Sequence, residues 1–207
     1  MLLLALALCA VEPSTDDSLA ALHSRGRTYA DFLATAERRK AMWQSNTAWG
    51  KVDPALLARG RALKGPMRLL VVLEDGCSDS ANTIPYLATF ADSIGGVLDI
   101  RLVNSTEGKW VMERHRTGDG RAATPTVVLL DADGNDVGCW VERPRALAAW
   151  MNDNRPKVSG QELMDGKFAW YNEDRGKYEE DQGNDHLDSK LCGLFLGSLP
   201  ALRSQRI

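Results

Sequence analysis

Between Gly65-Pro66 and Gly95-Gly96 the chain holds a seven-residue apolar run, a short polar turn and a helical repeat, and no other stretch restricts the fold as much. Met67-Arg-Leu-Leu-Val-Val-Leu73 is rich in strand formers without polar alternation, as expected of a strand covered on both faces. Glu74-Asp-Gly-Cys-Ser-Asp-Ser80 follows. Ala81, Ile84, Leu87, Ala91 and Ile94 then recur at spacings of three and four, which predicts a helix stopped by Gly95-Gly96. Val97-Leu-Asp-Ile-Arg-Leu-Val103 is a second strand candidate. A strand, a helix and a strand in that order form a parallel crossover.

The flanking segments extend this unit. Thr28 to Ala48 carries Tyr29, Phe32, Leu33, Ala36, Met42 and Trp43 among charges and predicts one amphipathic helix. Asp53-Pro54 opens another, with Leu56, Leu57 and Leu63 behind it. Ser105 through Thr117 predicts a short helix capped by Ser105 or Thr106 and closed by Gly118. Thr124-Pro125 introduces a third strand, Thr126 to Leu130. Asp131-Ala-Asp-Gly-Asn-Asp136 reads as a hairpin turn, and Val137 to Val141 as a fourth strand. Arg143-Pro144 begins a helix with Leu147, Trp150 and Met151, and Gln161 to Tyr178 is helical by pattern. The order is that of an α/β fold: a mixed sheet of about four strands covered by helices, with added N-terminal helices and a C-terminal extension.

A length of 207 residues suits one such domain with extensions. The boundaries expected are 1–11 for a candidate signal segment, 12–180 for the domain and 181–207 for a tail. Met1 to Val11 is an unbroken apolar run, too short for the roughly twenty residues a bilayer span needs. No transmembrane segment is expected. The run reads as the apolar part of a secretory signal with cleavage after Ala10, which places the protein in the periplasm or cell envelope; an apolar helix packed on a cytoplasmic domain is the alternative. A net charge of −3 gives no electrostatic reason to expect nucleic acid or an anionic membrane as partner. Nothing in the sequence sets an oligomeric state.

The four cysteines, Cys9, Cys77, Cys139 and Cys192, include no Cys-x-x-Cys pair, and His23, His115 and His186 are scattered. A tetrahedral zinc site is not supported. Cys77 falls between the buried strand and the helix, so it belongs at that helix's first turn. Unpaired N–H groups and the positive end of the helix dipole favour an anionic sulfur there, while Asp79 opposes it. Ser80 lies about one turn along, within reach of a hydrogen bond to the sulfur. Pro85 interrupts the helix and should free a carbonyl and kink it.

These residues together resemble the thioredoxin superfamily. Thioredoxins place Cys-x-x-Cys at this junction, with a helix proline five residues after the second cysteine, an offset that Ser80 and Pro85 reproduce. They also carry a cis-proline, often after threonine, packed against the active cysteine; Thr124-Pro125 matches it. One bacterial subgroup reads Glu-x-Trp-Cys-Gly-Asp, Asn-x-x-Pro-x-Leu, Leu-Asp-x-Asp-Gly and Trp-x-x-Arg-Pro. This chain has Glu74-Asp-Gly-Cys-Ser-Asp79, Asn82-Thr-Ile-Pro85-Tyr-Leu87, Leu130-Asp-Ala-Asp-Gly134 and Trp140-Val-Glu-Arg-Pro144, with Gly120 leading into Thr124-Pro125. Joint occurrence is far more specific than any one motif. The resemblance is loosest outside Glu74 to Pro144 and spans roughly Thr28 to Lys177.

Two departures bear on function. Gly76 replaces the expected aromatic residue, which opens one wall of the docking surface, and Ser80 replaces the resolving cysteine. A lone thiol stops at the mixed disulfide unless another thiol releases it. The resemblance therefore implies a weak or monothiol thiol–disulfide oxidoreductase with Cys77 and Ser80 as the reacting pair. Gly76, Ser78, Asp79, Thr124 and Pro125 would form the docking surface. The partners would be protein thiols and disulfides or low-molecular-weight thiols. A non-catalytic module that holds extended peptides on the same surface is the alternative. An iron–sulfur role like that of monothiol glutaredoxins ranks last, since their glutathione-binding motifs are not visible.

Plainer roles stand beside these. Ser80 reads as well as a helix-capping neighbour as it does as a thiol partner, Glu74 as a solvated strand-end carboxylate rather than a proton carrier, and Cys139 as a residue facing the core. No cofactor is implied. Asp131-x-Asp133-x-Asn135 with Glu142 imitates a calcium loop, but Asp136 sits where the turn glycine belongs. Gly118-x-Gly120-x-x-Ala123 imitates a dinucleotide fingerprint but precedes a strand.

Overall fold

The computed structural model describes residues 18–52, 54–63 and 65–180. The candidate signal segment with Cys9 and the tail with His186 and Cys192 lie outside the described residues. The strands are β1 (Met67–Leu73), β2 (Leu98–Asn104), β3 (Thr126–Leu130) and β4 (Asp136–Val141). The helices are α1 (Leu19–Arg25), α2 (Tyr29–Thr35), α3 (Lys40–Trp49), α4 (Pro54–Arg61), α5 (Ser78–Ser93), α6 (Lys109–Arg114), α7 (Arg145–Asn154) and α8 (Gly160–Glu180).

The sheet order is β2-β1-β3-β4. β1 runs parallel to β2 and antiparallel to β3, and β4 returns antiparallel to β3. This is the mixed four-stranded α/β sheet the sequence predicts, with α5 as its crossover. β1 is apolar throughout because its alternating side chains enter two separate cores. Leu69 and Val71 join Trp43, Ile84 and Leu87 on the α3/α5 face. Leu70 and Val72 join Leu19, Leu22 and Val111 on the α1/α6 face. A third cluster, Leu147, Met151, Leu163 and Tyr171, seals α7 against α8.

The structure corrects the expected elements in four places. The single helix over Thr28 to Ala48 is two helices, α2 and α3. Asp75 Oδ2 accepts the backbone N–H of Glu37 at 3.2 Å and of Arg38 at 3.0 Å, and Arg39 turns left-handed (φ 53°) before α3. Tertiary hydrogen bonds there replace the ladder of a continuous helix. α1 was not foreseen; Ser18 Oγ caps it by accepting from Ala21 N at 3.0 Å. Arg27 then makes an isolated antiparallel bridge to Leu102 on β2. α6 starts at Lys109 because Asn104 Oδ1 accepts from the N–H of Thr106 and of Glu107, both at 2.9 Å, which uses those residues in a turn. Finally, Cys139 does not face the core. It is exposed on β4, while its neighbour Trp140 points inward and is buried.

Candidate functional site

Cys77 is the N-cap of α5, in extended conformation (φ −80°, ψ 121°), and its carbonyl accepts from Ala81 N at 3.0 Å. The helix therefore begins at this residue and leaves its sulfur at the first turn. The sulfur is half-buried, and Cys77 Sγ donates to the carbonyl of Thr124 at 3.3 Å. The Thr124–Pro125 peptide bond is cis. Pro125 O in turn accepts from Glu142 N at 2.8 Å, which fixes this loop to the end of β4. Residues 47 apart in sequence thus meet at one point, as the resemblance implies.

The approach to Cys77 is pinned from three sides. Glu74 Oε1 accepts from the Ser105 backbone N–H at 3.2 Å and from the Ser105 hydroxyl. This tie supersedes a freely solvated carboxylate at position 74. Asp75 O accepts from Trp43 Nε1 at 2.9 Å, and Gly76 O accepts from Arg39 Nε at 2.7 Å. Gly76 does not leave the open wall expected of it. A Cβ built there would stand 2.5 Å from Arg38 Cζ, so the Arg38 guanidinium lies on the bare glycine backbone. Arg39 stacks over the Phe168 ring, 5.9 Å from its centroid.

The remaining predicted site residues point inward. Ser78 is buried, and its Oγ accepts from Lys167 Nζ at 2.9 Å. Asp79 is only 4% exposed. Its Oδ2 lies 2.7 Å from Lys167 Nζ and 3.0 Å from Arg143 Nη2, and its Oδ1 accepts from Tyr171 OH at 2.8 Å. Two cations at contact distance compensate the Asp79 charge, so it does not stand unopposed beside the sulfur as the sequence suggested. Burial, with the Asp79 charge next to it, pushes the Tyr171 hydroxyl well above its ordinary value. Arg143 also contacts Glu142, which forms a two-pronged pair with Arg121 at 2.9 and 3.1 Å. Ser80 is fully buried, and its Oγ has no hydrogen-bond partner, so the expected bond to the sulfur is not made.

Pro85 sits inside α5 as predicted. It cannot donate to Ala81 O, and Asn46 Nδ2 takes that place at 2.7 Å. Asn46 is itself buried and linked to Asn82 and Tyr86 at 3.3 Å each.

The site also includes Lys167, Tyr171, Arg38, Arg39 and Asn46, to which the sequence motifs assign no part. A signal existed for two of them: Lys167 sits on an apolar stripe, Leu163-Lys167-Tyr171, at helical spacing. Arg143 was present in the quoted Trp-x-x-Arg-Pro motif without an assigned partner. The two described cysteines, Cys77 and Cys139, are both free. Partial burial and the Asp136 charge push the Cys139 thiol up. Among the described residues no group of three or more His, Cys, Asp or Glu could hold a metal ion, and no helix is long and apolar enough to cross a membrane.

A family model described as thioredoxin matches residues 26–157, the stretch from just after α1 to the turn before α8. No curated protein matches the chain. Among solved structures, a protein of unknown function from Pseudomonas aeruginosa is similar at 23% identity and a TM-score of 0.54, over 74% of this chain and 89% of that one. An HIV epitope scaffold is similar at 21% identity and a TM-score of 0.55, over 73% and 88% respectively. Both likenesses concern the fold.

Proposed function

This chain belongs to the thioredoxin family, and we propose that it carries out monothiol thiol–disulfide exchange through Cys77. The observation that carries the reading is the half-buried Cys77 Sγ at a helix start, 3.3 Å from the carbonyl that precedes a cis-proline. A sulfur so placed is held in one position, next to a backbone edge on which an extended partner can lie.

Cys77 gives its proton to solvent, and the thiolate attacks one sulfur of a disulfide RS–SR. The Cys77–SR bond forms as the S–S bond breaks, and RS⁻ leaves and takes up a proton. With Ser80 at the resolving position, the adduct persists until a second thiol attacks the sulfur of its R group. That attack returns Cys77 and yields a new disulfide. Export, supported by the apolar run at residues 1–11, would supply an oxidising compartment in which such disulfides abound.

Incubation with bis(2-hydroxyethyl) disulfide, followed by intact-mass and peptide mapping, tests this. The expected result is an adduct on Cys77, absent in Cys77→Ser and released by excess thiol. An unmodified Cys77, with extended peptides still bound by both forms, would replace exchange with a purely binding role.

A further inference from the structure

Resting on the exchange reading, we propose that the site selects disulfides and thiols carrying a carboxylate near the sulfur, with Arg38 as the residue that reads it. Gly76 determines what stands beside Cys77. Its missing Cβ is what admits the Arg38 guanidinium, with Cζ 2.5 Å, Nε 2.7 Å and Nη2 2.8 Å from the place a Cβ would occupy. A Cβ at position 76 would force the guanidinium off this position. The loss of an aromatic wall and the arrival of a cation on the residue before Cys77 are therefore one structural fact. The break between α2 and α3, made by Asp75, is what delivers Arg38 to that point.

The charge is available. Arg38 is exposed, and among the described residues its guanidinium makes no hydrogen bond or ion pair. Arg39 adds a second exposed cation, anchored by its Nε on Gly76 O at 2.7 Å. The nearby carboxylates are otherwise engaged: Asp75 by the Glu37 and Arg38 N–H groups, Glu74 by Ser105, and Asp79 by Lys167 and Arg143. Neutral donors do not cancel the charges of Asp75 and Glu74, so among the described residues these two and the exposed Glu37 oppose the cations. Selection rests on direct contact of a carboxylate with the Arg38 guanidinium rather than on net charge. A planar guanidinium matches a carboxylate in two-pronged geometry, so a carboxylate a few bonds from the attacked sulfur can rest on Arg38 while the sulfur meets Cys77.

The test compares adduct formation on Cys77 with 3,3′-dithiodipropionate, bis(2-hydroxyethyl) disulfide and cystamine, which are anionic, neutral and cationic. Each rate is divided by that of free 2-mercaptoethanol with the same reagent, which removes differences in leaving-group chemistry. At low salt the normalised anionic rate should exceed the cationic one by roughly tenfold, and 1 M salt should shrink the ratio. Arg38→Gln should bring the ratio toward one and Arg38→Glu should invert it. Arg61→Gln should leave it unchanged, because Arg61 contacts Ser93 at the far end of α5. A ratio near one in the unaltered protein, or the same ratio in Arg38→Glu, would overturn the assignment while leaving exchange intact. No adduct with any of the three, the neutral one included, would remove the exchange reading itself. A cystine-linked peptide with flanking aspartates, run beside the same peptide with asparagines, shows whether a polypeptide can supply the carboxylate as well as a small molecule.

Discussion

Lys167 Nζ stands 2.7 Å from Asp79 Oδ2, although 88 residues separate them and Lys167 lies beyond the stretch that matches the family model. The same ammonium reaches Ser78 Oγ, so α8 is fastened to the first turn of α5, one residue from Cys77. Both partners are almost completely buried. The C-terminal helix is thus part of the platform that holds the thiol, and the family resemblance alone does not describe that platform.

Removing one member of this pair should be costly. Lys167→Met leaves Asp79 buried with Arg143 and Tyr171 as its remaining partners, and breaking a buried pair costs roughly 3–5 kcal/mol. Arg143 softens the loss, so about 3 kcal/mol is expected from urea unfolding. Adding Asp79→Asn to Lys167→Met should cost less than the sum of the two single changes, because no charge is then stranded. A drop below about 1 kcal/mol for Lys167→Met would show that the pair does not hold α8.

The Asn46–Pro85 arrangement makes a second, sharper test. Asn46→Ala leaves Ala81 O buried without its side-chain donor and should cost about 1–3 kcal/mol. Replacing Pro85 by Ala restores a backbone N–H that can reach Ala81 O. In the Pro85→Ala background, the same Asn46→Ala change should therefore cost measurably less. Equal costs in both backgrounds would mean that Asn46 acts through Asn82 and Tyr86 instead.

What sequence could reveal here followed local physics. The β1–α5–β2 crossover, the β3–β4 hairpin and the meeting of Cys77 with Thr124-Pro125 were legible because period, turn residues and motif spacing encode them. The break at Ala36 to Arg39 was not, since Asp75 causes it from 37 residues away and the local pattern favours helix throughout. Arg38 carries no local signal for the same reason: an exposed arginine becomes informative only once Gly76 is known to lie beneath it. A general preference for buried cysteines points Cys139 inward, whereas the alternation of β4 about the buried Trp140 turns it outward.

Acid should weaken the fold through two of its histidines. Burial pushes the imidazoles of His23 and His115 below their usual value near 6.5, so the folded chain refuses a proton that the unfolded chain accepts. Below about pH 6.5 the unfolded state then binds more protons, and stability falls as pH falls. The urea midpoint should decline from pH 7.5 to 5.5. His23→Gln, which keeps a donor for Asp99 O, should flatten part of that decline. Parallel pH profiles for the two proteins would exclude His23 as a source.

Ser80→Cys asks whether the geometry around Cys77 is that of a working dithiol with one sulfur missing. Ser80 Oγ is buried without a partner, a state that costs roughly 1–3 kcal/mol, and a thiol is much less polar than a hydroxyl. The change should therefore leave stability unaltered or raise it, as should Ser80→Ala. It also puts a second thiol one turn from Cys77 on the same helix. That thiol can attack Cys77 Sγ in the mixed disulfide, forming an internal disulfide and expelling RS⁻, so turnover no longer waits for an outside thiol. Intramolecular release carries a large effective concentration, and dithiothreitol-driven insulin reduction should rise at least tenfold over the unaltered protein. Ser80→Ala should show no such rise. If Ser80→Cys folds normally yet reduces insulin no faster, the first turn of α5 does not present its side chains to a disulfide held at Thr124-Pro125, and the exchange chemistry must be sought elsewhere.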